Sequence, residues 1–304
     1  MTIEIEMLSP NPLLISQSET HSGSALVIIP SSPDSEGWRR AILAEGQGSG
    51  IAISTWENEA VDPTNAYSIH ISDNLNDLST NAYTEKTVIL TQADALGHWT
   101  GRQRADVSLA LSVLPTSPSV RYITPSTLDG AKSVAVTSFL NVPLDGTFDS
   151  KEGPVDHALT LYREGPLKPG AIYSWLPSDF SIDPAHQSLD ASVGTRIDLT
   201  GRARCLVHGP YVALPKGQWQ ATVRFSVDAS ACRHRLRFEW GPLAQFASFE
   251  ASPGKSGHFI AQITHIFEEA ALCELRVILP ESSLAGALTL EGVDIEMMGE
   301  TAPA

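Results

Sequence analysis

The feature that most constrains the fold is a two-residue alternation of apolar and polar side chains in the last third of the sequence. Residues 219–227, 236–240 and 273–279 each place an apolar side chain at every second position. Successive side chains of a β-strand point to opposite faces, so this pattern gives each strand one apolar and one polar face. Turns rich in Gly and Pro separate the segments at roughly 10–20-residue spacing. We therefore predict an antiparallel β-sandwich of the jelly-roll type over residues 197–298.

The first half of the chain has a different pattern. A continuous apolar run at residues 25–30 has the length of a strand, an amphipathic stretch follows at 36–45, and a second strand-like run occupies 50–55. An apolar strand, a helix of about ten residues and another strand together form a βαβ unit. The sequence therefore predicts an α/β, Rossmann-like domain here and an α+β chain of two domains overall.

Residues 102–114 fit two structures. Their apolar side chains alternate with polar ones, as in a strand, but the segment lies between two predicted strands, where a crossover helix belongs. We favour the helix because the α/β organisation is already established upstream. The alternative makes the N-terminal half largely β.

The resulting domain organisation has five parts. A flexible arm (1–24) precedes the α/β domain (25–145), a connecting region rich in Pro and Gly (146–196), the β-sandwich (197–298) and a short tail (299–304). Within the connecting region, only residues 158–163 and 171–175 resemble strands.

Composition excludes several functions. A net charge of −15 repels phosphate backbones and anionic membranes, so we expect no nucleic-acid partner. No run of about 18 apolar residues is present, so we expect no membrane span. Three widely separated cysteines and no secretory signal favour free thiols and a cytoplasmic location. Because the common metal, nucleophile and dinucleotide motifs are missing, we expect neither a metal nor a cofactor.

Candidate ligand-binding residues occur on one predicted strand and the turn before it. Arg233, Arg235 and Arg237, with Glu239, share one strand face at intervals of about 7 Å, a spacing suited to carboxylates or phosphates. Tyr211 follows a Gly-Pro pair and offers an aromatic ring for a sugar. The alternatives are a structural tyrosine and a solvated edge strand protected by charge.

A second candidate is the loop that contains Asp73 and Asp77. It follows a predicted strand, and its carboxylates suit a divalent cation or sugar hydroxyls. The alternative is ordinary turn and N-cap chemistry.

One resemblance is specific enough to name. In residues 209–225, Leu214-Pro-Lys-Gly-Gln-Trp219 leads into an alternating strand, and residues 286–296 have the pattern of a closing strand. Both segments resemble the carbohydrate-binding-module-like, galactose-binding-domain-like jelly rolls. The resemblance implies a domain of the kind that accompanies enzymes and assembly factors for polysaccharides.

Three functions from different classes remain open. The leading hypothesis is a non-catalytic accessory protein whose sandwich binds a glycan or a protein partner, in bacterial polysaccharide or glycoconjugate metabolism. The second is a sugar- or nucleotide-sugar-processing transferase with its chemistry in the N-terminal half. The third is a structural or assembly protein.

Overall fold

The computed structural model describes residues 23–30, 32, 34–55, 66–91, 101–144, 155–182, 187–190, 194–228 and 234–299. Most of the described chain is β-structure, in two antiparallel sheets that form a sandwich and one parallel sheet. The predicted β-sandwich is therefore confirmed.

The N-terminal sheet has five strands in the order β2-β3-β1-β4-β5, and every neighbouring pair is parallel. Their bounds are β1 (Gly23–Ile28), β2 (Ala52–Thr55), β3 (Tyr67–Ser72), β4 (Glu85–Ile89) and β5 (Val120–Ile123). Helix α1 (Ser35–Gly48) joins β1 to β2, and α2 (Gly101–Ser112) precedes β5.

The two faces of this sheet are both covered, which explains the continuous apolar run of β1. Val27 packs in one cluster with Trp38 of α1, whereas Leu26 packs in a second cluster with Leu111 of α2. A strand that is buried on both faces has no polar positions to alternate. The helix that we favoured for residues 102–114 is confirmed as α2.

Several short elements complete this part of the chain. A 3-10 helix (Leu75–Ser79) lies between β3 and β4. After β5 come the helix α3 (Pro125–Leu128), the hairpin of β6 (Ser133–Ala135) and β7 (Asn141–Pro143), and the 3-10 helices His157–Tyr162 and Pro177–Asp179. The strand predicted at 158–163 is wrong, because this apolar run forms the second 3-10 helix. The Asp156 carboxylate accepts a hydrogen bond from the amide of Ala158 and caps that helix.

The sandwich consists of two sheets that pack face to face. The first has the order β10-β11-β18-β13-β16 with β8 also paired to β18, and the second has the order β15-β14-β17-β12-β9. Rings from the two sheets meet in the core, where Phe225 lies 5.2 Å from Phe238 between centroids. The bounds are β8 (Ile172–Trp175), β9 (Ser181–Ile182), β10 (Gln187–Asp190), β11 (Gly194–Asp198), β12 (Arg204–Leu214), β13 (Gly217–Asp228), β14 (Leu236–Pro242), β15 (Ala247–Ala251), β16 (Gly257–Phe267), β17 (Ala271–Leu279) and β18 (Ala287–Gly299).

Three of these strands come from the stretch that the sequence indicated as an irregular connection. Strands β8, β9 and β10 pair with β18, β12 and β11 respectively. The fully buried Trp175 of β8 contacts Trp240 at 6.1 Å between ring centroids. The Pro and Gly residues that suggested a linker therefore alternate with strands that belong to the sandwich.

Side chains from the preceding part of the chain cover one edge of the sandwich. Strand β9 pairs only with Val207 and His208 of β12, so later backbone groups of β12 need other partners. Ser108 of α2 accepts a hydrogen bond from the amide of Ala213 at 2.9 Å, and the Tyr162 hydroxyl donates to the Ala213 carbonyl at 2.6 Å. Such covering protects an exposed strand from pairing with other chains.

Candidate functional site

The outer surface of the second sandwich sheet carries a connected group of polar side chains. Glu239 of β14, Arg276 of β17 and His208 of β12 stand opposite one another in register, so they form a row across three strands. We call the set of His208, Tyr211, Arg237, Glu239, Glu274 and Arg276 the polar face.

Arg276 is the centre of the polar face. Its guanidinium lies 2.6 Å from the Glu274 carboxylate and 3.5 Å from that of Glu239, and Glu239 in turn lies 3.1 Å from Arg237. The guanidinium also stands 4.4 Å from the centre of the Phe246 ring, in cation–π contact. Opposite charges alternate through this network, which fixes the direction of each donor and acceptor.

Tyr211 extends the network to the neighbouring strand. Its hydroxyl donates to Glu274 at 2.8 Å and lies 2.7 Å from Nδ1 of His208. The pairing of β12 with β17 moves from Pro210 opposite Glu274 directly to Val212 opposite Cys273, so Tyr211 is the extra residue of a β-bulge. Bulges redirect side chains, and this one turns the phenol toward Glu274.

The backbone of Tyr211 is strained. Its φ is +62°, in the left-handed region that a residue with a Cβ enters at a cost of about 1 kcal/mol or more. Strain of this kind is retained where the side chain must point in one direction, and it motivates a functional hypothesis.

Two groups of the polar face, Tyr211 and Arg276, have raised pKa values. Burial, reinforced by the hydrogen bond and charge of Glu274, raises the pKa of Tyr211 to about 12, so the phenol stays neutral near pH 7. The contact with Glu274 raises the pKa of Arg276, which stays charged. Only 2% of the Glu274 side chain is exposed, so Arg276 and Tyr211 must compensate its negative charge in place of water.

The described arginines of the predicted row are already paired with carboxylates, so they are not free to bind an anion. Arg237 pairs with Glu239, and Arg235 lies 3.5 Å from Glu250 and 3.3 Å from Glu281. Strand β14 also lies inside its sheet, between β15 and β17, so the alternative of a charged edge strand is wrong. Arg233 lies outside the described residues.

The structure thus brings together Tyr211, Arg237 and Glu239, and it adds residues that sequence reasoning missed. Glu274 and Arg276 alternate with buried side chains of β17, so their outward direction was readable from the sequence. Their contact with β14 and β12 was not readable, because strand neighbours in a sandwich are distant in sequence.

Asp73 and Asp77 serve different contacts. The Asp77 carboxylate accepts the Ser72 hydroxyl at 2.5 Å and also lies 3.5 Å from the Asn74 amide. Asp73 lies 3.9 Å from Arg39 of α1. The Asp77 contacts match the turn chemistry that the sequence offered as the alternative to a cation site, whereas Asp73 pairs with a helix residue.

A cavity of about 740 Å³ lies at the carboxyl edge of the parallel sheet. The Asp34 carboxylate at its wall accepts hydrogen bonds from Ser32 at 2.7 Å, from the Trp38 indole at 3.1 Å and from the Thr91 hydroxyl.

This cavity lies where the strand order of the sheet changes direction. Asp34 follows β1, which is followed by α1, and Thr91 follows β4, which is followed by α2. The two helices lie on opposite faces of the sheet. Ligands of open α/β sheets bind at such a point. Charged groups at this crevice are Asp34, Asp129, Arg163 and Glu164.

Within the part of the chain that the structure describes, no group of three or more His, Cys, Asp or Glu side chains is arranged to hold a metal ion. None of the described helices has the length and apolar character needed to cross a bilayer.

Comparisons with known proteins find likeness in structure but not in sequence. No family model and no curated protein matches the chain. A family 61 carbohydrate-binding module in complex with β-1,4-galactotriose matches with a TM-score of 0.29 and 11% identity, over 43% of this chain and 89% of the module. The CBM36-1 domain of a multidomain xylanase from the hindgut metagenome of Trinervitermes trinervoides matches at 0.30 and 11%, over 44% of this chain and 98% of the domain.

A longer match is to the Glycosylation Associate Protein (Gap123) complex from Streptococcus agalactiae. The match has a TM-score of 0.30 and 8% identity. It covers 91% of this chain but only 50% of the matched chain of that complex. The likeness to carbohydrate-binding modules that the sequence predicted is confirmed over less than half of the chain, and this protein is similar to them in fold.

Proposed function

We propose that this protein is a non-catalytic accessory protein whose sandwich binds a glycan through the polar face. The observation that carries the proposal is the fixed network from Arg237 to His208, which holds charged donors and acceptors on one sheet surface. In this proposal the α/β, Rossmann-like part is a second domain, and the sandwich is the recognition module.

The chemistry of the network suits sugar hydroxyls. A carboxylate accepts and a guanidinium donates two parallel hydrogen bonds, the geometry that neighbouring hydroxyls on a sugar ring need. The rings of Phe246 and Tyr211 add apolar surface beside them, as sugar sites require.

The same network favours a neutral ligand over an acidic one. Each described arginine of this region already has a carboxylate partner, so a uronic acid or phosphate would have to displace Glu239 or Glu250. Neutral hydroxyls can bridge an ion pair without breaking it. The neutral Tyr211 phenol, with its raised pKa, also disfavours an acid–base role near pH 7.

Calorimetric titration with neutral and uronic-acid oligosaccharides tests this function. We expect heat with a neutral oligosaccharide, and affinity at least about tenfold weaker after Glu239→Gln or Arg237→Ala, since each removes one charged partner. Arg235→Ala is the matched control, because Arg235 lies on the same strand but pairs with Glu250 and Glu281. Absence of heat with every sugar, or equal affinity in the variants, would contradict the proposal.

A second candidate is a sugar-processing enzyme with its site in the crevice at the carboxyl edge of the parallel sheet. The cavity at the switch point favours it, and the carboxylates of Asp34, Asp129 and Glu164 favour sugar hydroxyls over phosphate. Its size is within the usual range for small-molecule sites.

Thermal-shift measurements with monosaccharides, and with nucleotide-sugars with and without Mg²⁺, test this candidate. A ligand at 100 times its dissociation constant should stabilise the fold by about 2.7 kcal/mol. We expect the monosaccharide shift to disappear in Ser126→Trp, which fills the crevice, and to persist in Ser282→Trp at an exposed position elsewhere. A shift that survives Ser126→Trp rules out this site.

A further inference from the structure

Three exposed, large apolar side chains converge on one groove at the end of the sandwich. Leu109 of α2, Leu243 after β14 and Ile266 of β16 are 43%, 46% and 48% exposed, and all three line a cavity of about 430 Å³. Single exposed apolar residues are ordinary, but convergence from three separate elements is typical of an interaction site.

The floor of the groove is apolar and uncharged. Phe267 is buried, and His265 stands edge-on to its ring at 5.5 Å. Burial lowers the pKa of His265, so its imidazole is neutral near pH 7.

The rim of the groove is acidic. Glu268 and Glu269 are both exposed at the turn between β16 and β17, and the described residues that line the cavity include neither Lys nor Arg. An apolar centre with a negative rim attracts a segment that is apolar on one side and basic on the other.

The two terminal stretches outside the described residues do not have this basic character. Residues 1–22 contain three glutamates and no Lys or Arg, and residues 300–304 contain one glutamate and no basic residue. In a two-fold dimer formed through this groove the same lining would face itself, and it would offer Glu268 and Glu269 no Lys or Arg as a partner. Anionic membrane surfaces are repelled by like charge.

We propose that this groove docks a basic, amphipathic segment of a partner protein, with apolar anchors between Leu109, Leu243 and Ile266 and a Lys or Arg on Glu268 and Glu269. No residue of the polar face lines the groove, so variants of one site leave the residues of the other unchanged.

Fluorescence polarisation with labelled peptides tests the docking. The probe is an 18-residue amphipathic peptide of Leu and Lys, and its counterpart carries Glu in place of every Lys. We expect the Leu/Lys peptide to bind, the Leu/Glu peptide not to bind, and added salt to weaken the binding. The triple variant Leu109→Ser/Leu243→Ser/Ile266→Ser should bind the probe at least about tenfold more weakly.

Matched variants separate docking from the general attraction of an acidic chain. Glu268→Lys/Glu269→Lys should weaken binding at least about tenfold, whereas Glu36→Lys/Glu296→Lys, with the same change in net charge elsewhere, should bind as the unmodified chain does. Ile260→Ser, on β16 and 67% exposed, is the apolar control and should also bind normally. Circular dichroism establishes that each variant is folded.

Four outcomes would overturn the proposal. Three are failure of the Leu/Lys peptide to bind, equal binding of the Leu/Glu peptide, and equal weakening by the control variants. The fourth is a self-association of the chain that the triple variant abolishes, which would identify a second copy as the occupant.

Discussion

Arg276→Ala should lower the free energy of unfolding by about 3 kcal/mol, because it leaves the buried Glu274 carboxylate with no cation beside it. Removal of one partner of a buried pair is far more costly than loss of an exposed ion pair, which costs about 0–1 kcal/mol. A loss of this size is a large fraction of the roughly 5–15 kcal/mol that stabilises a folded domain. Urea denaturation followed by circular dichroism measures it.

A companion variant gives the test its specificity. In Glu274→Gln/Arg276→Ala the uncompensated charge is gone, so we expect most of the lost stability to return. Arg235→Ala, in which an exposed pair is removed from the same sheet, should change stability by less than about 1 kcal/mol. If Arg276→Ala costs no more than Arg235→Ala, then the Glu274 carboxylate is hydrated and the polar face is not a preorganised network.

Trp175→Ala should lower the free energy of unfolding by about 3–5 kcal/mol, the range for removing a large buried aromatic side chain. Trp175 is fully buried and contacts Trp240 and Phe180, and its indole donates a hydrogen bond to the Ala158 carbonyl at 3.2 Å. The substitution therefore opens a cavity in the core and leaves a buried acceptor without its donor.

The control for this prediction is Ile172→Ala, three residues earlier on the same strand and 64% exposed. We expect a change within about 0.5 kcal/mol for this variant, as for most surface substitutions. Similar values for the two variants would mean that β8 is not docked on the sandwich, and that the stretch before residue 194 behaves as a linker.

The two stability predictions bear on function. Arg276→Ala tests the network that fixes the orientation of the ligand-binding groups. Trp175→Ala tests whether β8 is packed into the core, where Trp175 contacts Trp240 of the second sheet. A protein that resists Arg276→Ala but loses glycan affinity would have a polar face that is functional without being preorganised. Calorimetry on the same variant distinguishes these cases.

Some of this protein was determined by the sequence alone. The alternation at Trp219, Val223 and Phe225 identified strands with one buried face, because a pleated strand has a period of two. The unbroken apolar run of β1 identified a strand buried on both faces, and the connection before β5 identified a helix. The shared strand face of Arg237 and Glu239 was also readable, whereas Tyr211, expected in a turn, lies in β12 and is directed by a bulge.

The tertiary structure alone decided which of these side chains meet. Glu274 and Arg276 join Glu239 and Tyr211 because β17 lies between β14 and β12, and no local pattern specifies that order. The strand-like segment at 171–175 is β8, whereas β9 and β10 were hidden because they are short and lie among Pro and Gly residues, so pairing rather than propensity defines them. Local periodicity reports which face of a strand is buried, whereas a binding site depends on neighbours that only long-range packing brings together.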